Sequence, residues 1–321
     1  MSVRELTVGK NDAGQRLDRF VAKSLPLLPA ALLQKYIRLK RIKCNGARAA
    51  RDRRLQEGDV LQLYINDEFF DQPREDNLFL TLFRPNLTIV YEDENLLLLD
   101  KRAGLVVHAD ETEKVNTLIN HVQAYLYQKR EWNPKWENAF TPALCNRIDR
   151  NTGGLVIAAK NAETLRIINE KIRDREIEKR YLCITVGRPK PPAGRIECIL
   201  LKDETKKTVQ VYHKPVPGGR TAVTHYETLE SRGELSLVEV TLETGRTHQI
   251  RASFADIGCP LLGDGKYGRG DVNRRCGETR QALYAYRLTF DFSTDAGLLN
   301  YLKGRSFAVE DVPFRDKYFG K

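Results

Sequence analysis

Over residues 16–24 the apolar side chains Leu17, Phe20 and Val21 recur at helical spacing, and in a second helix just beyond, Leu32, Leu33, Tyr36 and Ile37 turn inward. Pro29 suits the opening of that second helix, because its φ is fixed and it lacks the N–H that a first turn leaves unpaired. The pattern then changes. Residues 42–48 contain Asn45-Gly46, a pair that tolerates positive φ and so marks a tight hairpin turn. Residues 59–65 alternate Val60, Gln62 and Tyr64 against Leu61, Leu63 and Ile65, as a strand does. Further on, residues 87–91 and 96–99 read as the arms of a hairpin around the polar stretch 92–95. Asn116 is placed to cap a helix with Leu118, Val122 and Leu126 on one face. Residues 154–159 and 180–186 read as strands, and between them Asn161 caps a helix aligning Leu165, Ile168 and Ile172. Residues 236–242 alternate again, and helical spacing returns at Ile250, Phe254 and Ile257 until Gly258 stops it.

Strands dominate, and their connections are too short for repeated crossover helices. The pattern predicts an α+β fold built on a mainly antiparallel mixed sheet, with a small α/β unit at the N-terminus. It divides into residues 1–66, a linker over 67–85, a large domain over 86–304 and a tail over 305–321. The stretch 66–77, polar and acidic with Pro73, carries the linker character.

The chain has 321 residues, room for about two domains. No apolar run reaches the length of a membrane span, and Met1 to Lys10 lacks the apolar centre of a signal peptide, so a cytoplasmic location is expected. The six cysteines form no C-x-x-C pair and have no histidine cluster beside them, so reduced thiols are expected and a metal site is not. Charge changes the picture more. Residues 14–65 hold twelve Lys and Arg against four Asp and Glu, which accounts for eight of the chain's net +10. Such concentration is the footprint of phosphate binding and points to a nucleic-acid partner. Lys35, Arg38, Lys40, Arg41, Lys43 and Arg48 are the candidate contacts on this face. No sustained heptad appears, and a monomer is expected.

Two dense segments carry the candidate chemistry. One runs Asn146-Arg147-Ile148-Asp149-Arg150-Asn151-Thr152-Gly153-Gly154 and ends in an apolar strand. The other, about a hundred residues on, is Glu243-Thr244-Gly245-Arg246-Thr247-His248-Gln249-Ile250-Arg251. Together they resemble the signature segments of the RluA-type RNA pseudouridine synthases. Residues 101–108, from Lys101 through Gly104 to His108, resemble a third segment of that family, and residues 263–268, Gly-Asp-Gly-Lys-Tyr-Gly, a fourth. The first fifty or so residues are similar to the αL RNA-binding motif of a small-subunit ribosomal protein and of tyrosyl-tRNA synthetases. Asn146 and Gly153 depart from the family, where histidine and serine are usual.

The resemblance implies isomerisation of uridine within RNA, a reaction with no redox change and no lost group, hence no cofactor. Asp149 would be the catalytic acid, attacking the anomeric carbon or taking a sugar proton; the sequence leaves both routes open. An arginine beside a carboxylate keeps it ionised and oriented, and the resemblance assigns Arg251 to this role. Tyr181, in Lys179-Arg180-Tyr181-Leu182, matches the family's active-site tyrosine, placed to stack on a flipped-out base. Arg147 and Arg150 are assigned to strand anchoring or phosphate contacts. Arg246, Thr247, His248 and Gln249 open the helix of Arg251, where free N–H groups suit an RNA phosphate. Ribosomal RNA is the expected substrate. A transfer-RNA enzyme of the same chemistry and a non-catalytic assembly factor are the alternatives. A glycoside hydrolase fits poorly, since it needs two carboxylates astride the bond.

Overall fold

The computed structural model describes residues 3–70 and 78–320, so residues 71–77 of the expected linker lie outside the described residues. The N-terminal unit comprises β1 (Arg4–Thr7), α1 (Leu17–Ser24), α2 (Ala30–Arg38), the hairpin of β2 (Ile42–Cys44) and β3 (Ala47–Arg48), and β4 (Val60–Leu63). Its four strands pair in the order β1-β4-β2-β3. Leu17, Phe20, Val21, Leu33, Tyr36 and Ile37 from the helices meet Ile42, Cys44, Leu61 and Leu63 from the sheet in one core. Asn45 and Gly46 both have positive φ, 52° and 75°, as their hairpin turn requires. Strand β1 went unread in the sequence because it is an edge strand with little burial on either face.

The unit is fastened to the rest of the chain along a polar seam around Asp12. The carboxylate of Asp12, fully buried, accepts from the Ala139 N–H at 3.2 Å and the Asn138 amide at 3.4 Å. The Asn138 amide also donates to the Thr7 carbonyl at 2.7 Å, and the Asn11 amide donates to Glu137 at 2.6 Å.

The second sheet collects β5 (Ile89–Glu92), β6 (Leu96–Lys101), β7 (Ala143–Leu144), β8 (Gly153–Ala159), β9 (Ile177–Val186), β10 (Ala193–Asp203), β11 (Thr208–Tyr212), β12 (Arg220–Arg232), β13 (Leu235–Leu242), β14 (Leu283–Phe290) and β15 (Ser306–Ala308). Their order is β11-β10-β12-β13-β9-β14-β8-β6-β5, with β15 beside β14 and β7 beside β8. All pairings are antiparallel except β8 with β14. Helices α3 (Leu118–Gln128), α4 (Ala162–Arg173), α5 (Gln249–Asp256), α6 (Gly270–Cys276) and α7 (Pro313–Phe319) complete the chain. This is the mainly antiparallel α+β architecture expected.

Strand β6 is apolar without alternation because both of its faces are covered. Leu97 and Leu99 pack with Leu118 and Val122 of α3, whereas Leu96 and Leu98 pack with Ile167 and Ile168 of α4. Asn161 caps α4 by accepting from the Thr164 N–H at 2.8 Å. The cap of α3 is Thr117 rather than Asn116; the Asn116 side chain instead meets the His121 ring at 2.9 Å. Ile257, expected to face inward, is exposed, because α5 ends at Asp256 before the last turn completes. Residues 305–320 are no detached tail. β15 extends the sheet, and Val312 and Phe319 are buried against Leu182, Ile184 and Val272.

The parallel pairing of β8 with β14 places the site. Gly154 has φ +113°, and a Cβ there would lie 2.3 Å from the Ala285 carbonyl oxygen of β14. Only glycine lets the two backbones approach this closely, which fixes the start of β8 and the loop leading into it.

Candidate active site

The loop before β8 carries Asp149 and is stitched down on both sides. The Asn146 side chain accepts from the Ile157 N–H at 2.8 Å and donates to the Leu155 carbonyl at 3.3 Å. The Thr152 N–H closes a turn onto the Asp149 carbonyl at 3.0 Å. Beneath the loop, the ammonium of Lys101 donates to the carbonyls of Leu105, Arg150 and Arg102 at 2.8, 3.0 and 3.2 Å. Burial pushes Lys101 down to about 7, against the pull of Asp149 and Asp100. The two departures from the family pattern have local explanations. Asn146 supplies the stitch just described. Gly153 leaves room for Tyr284, since a Cβ would lie 2.4 Å from its ring, and the Tyr284 hydroxyl donates to Asp100 at 2.6 Å.

Arg251, on α5, reaches Asp149 with Nη1 at 2.7 Å from Oδ2. The rest of its guanidinium is gripped by a second carboxylate: Nε and Nη2 donate to the two oxygens of Asp264 at 2.7 and 2.9 Å. Asp264 is fully buried and also accepts from the N–H groups of Lys266 and Tyr267. Burial alone would depress Arg251, but the hydrogen bonds and charges of Asp264 and Asp149 hold it above its ordinary value. Burial alone would raise Asp264, and Arg251 overrides this to keep the carboxyl below the ordinary range. The arginine is thus a fixed cation aimed at Asp149, whose side chain keeps 26% of its surface exposed. Tyr181 is buried on β9, opposite Val240 of β13. Its burial, and then the charge of Asp149, push the phenol well above its ordinary value, so it stays protonated. The structure therefore brings Asp149, Tyr181 and Arg251 together.

His248 stands beside Asp149. It caps α5 in a left-handed conformation, φ 53°, with Nε2 3.9 Å from Asp149. Burial pushes its ring down to about 4, so it is neutral near pH 7. Its Nδ1 lies 2.8 Å from the Tyr267 hydroxyl, which already accepts from the Val209 N–H at 2.7 Å. Tyr267 also lies under the Arg251 guanidinium, 5.3 Å from ring centre to Cζ.

The remaining expected contacts separate into exposed and buried sets. Arg147, Arg150, Arg246 and Thr247 are exposed near the site, and Lys35, Arg38, Lys40 and Arg48 are exposed on the N-terminal unit. Arg41 and Lys43 are half-buried, each lying against a tyrosine ring, Tyr36 and Tyr64. Gln249 is the exception. It is buried, accepts from Thr244 and the Arg246 N–H, and donates to Val223 and Thr224, so every polar atom of its side chain is engaged inside the protein. It shapes the loop instead of facing RNA. Arg150 pairs with Asp110 at 2.8 Å, and Lys207 pairs with the neighbouring Glu111 at 2.6 Å, so an acidic loop bridges two cations beside the site. Among the described residues no group of three or more His, Cys, Asp or Glu side chains is arranged to hold a metal ion.

Lys101, Asp264 and Tyr267 were quoted in sequence only as parts of motifs, without roles. The signal for Asp264 was available: an acid flanked by glycines in a tight turn, thirteen residues past an arginine on a short helix.

The fold is that of the pseudouridine synthases. Human RNA Pseudouridylate Synthase Domain Containing 1 superposes with a TM-score of 0.55 at 21% identity, over 73% of this chain and 86% of that one. The RNA pseudouridylate synthase family matches residues 95–256. An uncharacterised RNA pseudouridine synthase of Mycoplasma genitalium is 31% identical over 88% of each chain. The ribosomal large subunit pseudouridine synthase D of Neisseria meningitidis serogroup A is 31% identical over 89% of this chain and 74% of that one. The chain belongs to the RNA pseudouridine synthase family, of the RluA type, and is an isomerase acting on RNA.

Proposed function

We propose that the protein isomerises specific uridines of large-subunit ribosomal RNA, with Asp149 as nucleophile and no cofactor. The observation that carries this reading is the Asp149–Arg251–Asp264 chain, an accessible carboxylate whose partner arginine is immobilised from behind. An Asp149 oxygen bonds to the anomeric carbon as the bond to the uracil nitrogen breaks, and the electron pair leaves with the base. The base turns, its ring carbon bonds to the anomeric carbon, and the carboxylate departs. The proton on that ring carbon is then lost to solvent, and the ring nitrogen freed from the sugar takes one up, so the product is an isomer of uridine. Tyr181 lies against the base, and its phenol stays protonated. Ribosomal RNA is favoured over transfer RNA because several relatives carry the name of large-subunit enzymes.

The test is tritium release from RNA labelled at the uracil carbon that becomes bonded to the sugar, with large-subunit and transfer RNA pools assayed separately. Release from the large-subunit pool alone is expected; release only from transfer RNA would overturn the substrate assignment.

The N-terminal unit, residues 1–66, is proposed to act as an αL-type RNA-binding domain, joined by residues 67–85 to a monomeric catalytic domain. Neutralising Lys35, Arg38, Lys40 and Arg48 together should weaken RNA binding. It should also flatten the slope of log affinity against log salt by roughly three, as about four phosphates lose their partners. An unchanged slope would remove the unit from the RNA interface.

A further inference from the structure

The chain's most exposed aromatic side chains gather away from Asp149. Trp136 is 66% exposed and Phe83 is 87% exposed, in a family whose substrate is RNA. Tyr127, Gln128, Arg130, Trp132, Asn133 and Trp136 line an open cleft of about 510 Å³. Three observations distinguish it from an incidental surface patch.

The cleft is built on a fixed frame. Gln128 ties the Phe83 loop to the end of α3 by donating to the carbonyls of Leu82 and Phe83, both at 3.2 Å. The Phe79 ring packs against both Tyr127 and Trp132, at 5.6 and 5.3 Å between centroids. A turn from Asn133 to Trp136, closed by a 2.9 Å backbone hydrogen bond, presents the Trp136 ring.

The cleft also has a rigid aromatic floor. Trp132 is 97% buried, its indole N–H is enclosed within the protein, and its ring is held by Phe79. A fixed apolar floor beneath exposed rings suits the face of a base.

The charge around it suits a polyanion. Arg84, Arg130 and Lys135 are exposed nearby, whereas the neighbouring Glu131 is matched by Lys129 and Lys160. The very next residues, Glu137 to Ala139, form the seam with the basic N-terminal unit.

We propose that this cleft is a second RNA site, taking an unpaired nucleotide of the bound RNA. The base stacks on Trp136 and Tyr127 over the Trp132 floor, and Arg130 faces the phosphate. Stacking on aromatic faces is indifferent to base identity, so the site would hold RNA without choosing sequence. The inference requires only that the chain binds RNA, and it stands or falls independently of which uridine is modified.

Trp132 and Trp136 are the only tryptophans in the chain, so intrinsic fluorescence reports on the cleft directly. Titrating the full-length protein with an eight-nucleotide oligouridylate should quench that emission. Trp136→Ala should weaken binding about tenfold without changing its salt slope, Trp136→Phe should retain most of the affinity, and Arg130→Gln should lower the slope by about one. Absence of quenching, or affinity within twofold of wild type for Trp136→Ala, overturns the proposal. So does quenching by a proline-rich peptide but not by RNA, which would make the cleft a protein-docking site.

Discussion

Asp149→Asn should abolish tritium release from substrate RNA, lowering the single-turnover rate by about 10⁴-fold or more, the scale expected when a reacting nucleophile is removed. The change keeps the shape of the side chain, and its amide oxygen can still accept from Arg251. Arg251 itself remains held by two hydrogen bonds to Asp264. The variant should therefore fold, bind RNA and fail only in chemistry, with thermal unfolding and RNA affinity close to wild type. Turnover within tenfold of wild type would exclude Asp149 as the nucleophile, and a collapse in stability would mean that the residue is chiefly structural.

Arg251→Met should damage both stability and rate, and the two can be separated. Methionine roughly fills the space of the arginine but leaves Asp264 fully buried with only the N–H groups of Lys266 and Tyr267 as partners. An uncompensated buried charge of this kind costs about 3–5 kcal/mol. The rate should also fall at least about 100-fold, because Asp149 loses its fixed counter-charge. Adding Asp264→Asn removes the stranded charge, so the double variant should recover much of the stability measured by denaturant unfolding and none of the activity. If activity returned with stability, Arg251 would be acting only as a strut.

The sequence reading succeeded where a local pattern decides the outcome. The Asn45-Gly46 turn, the Asn161 cap and the apolar faces of α1 and α2 are set by neighbours within a few residues. The Asp149–Arg251 pair spans 102 residues and was legible only because two motifs framed it. Where a residue's role depends on which way its side chain turns, the reading stopped. Gln249 sits at a helix N-terminus, as a phosphate contact would, yet turns inward to satisfy Thr244, Val223 and Thr224. Asp264 belongs to a glycine-rich turn that resembles an ordinary loop until Arg251 is seen arriving from another element. The long strands β10 and β12 were unread because they lie toward one edge of the sheet, with charged residues interrupting their alternation. The tail was undervalued because a three-residue strand and a two-turn helix carry too short a pattern to register.

The acidic loop beside the site alters what a salt titration will count. A free surface cation that meets a phosphate releases an ion from solution, and that release is what the slope measures. Arg150 and Lys207 are not free: each already faces a carboxylate of its own chain, Asp110 and Glu111. A phosphate arriving there exchanges one anionic partner for another, and the displaced carboxylate recruits an ion of its own. Because exposed pairs of this type hold weakly, the exchange is cheap, about 1 kcal/mol or less per pair. A contact that Arg150 or Lys207 made with RNA would therefore leave little trace in ionic-strength dependence, whereas one proposed for an unpaired cation of the N-terminal unit would register in full.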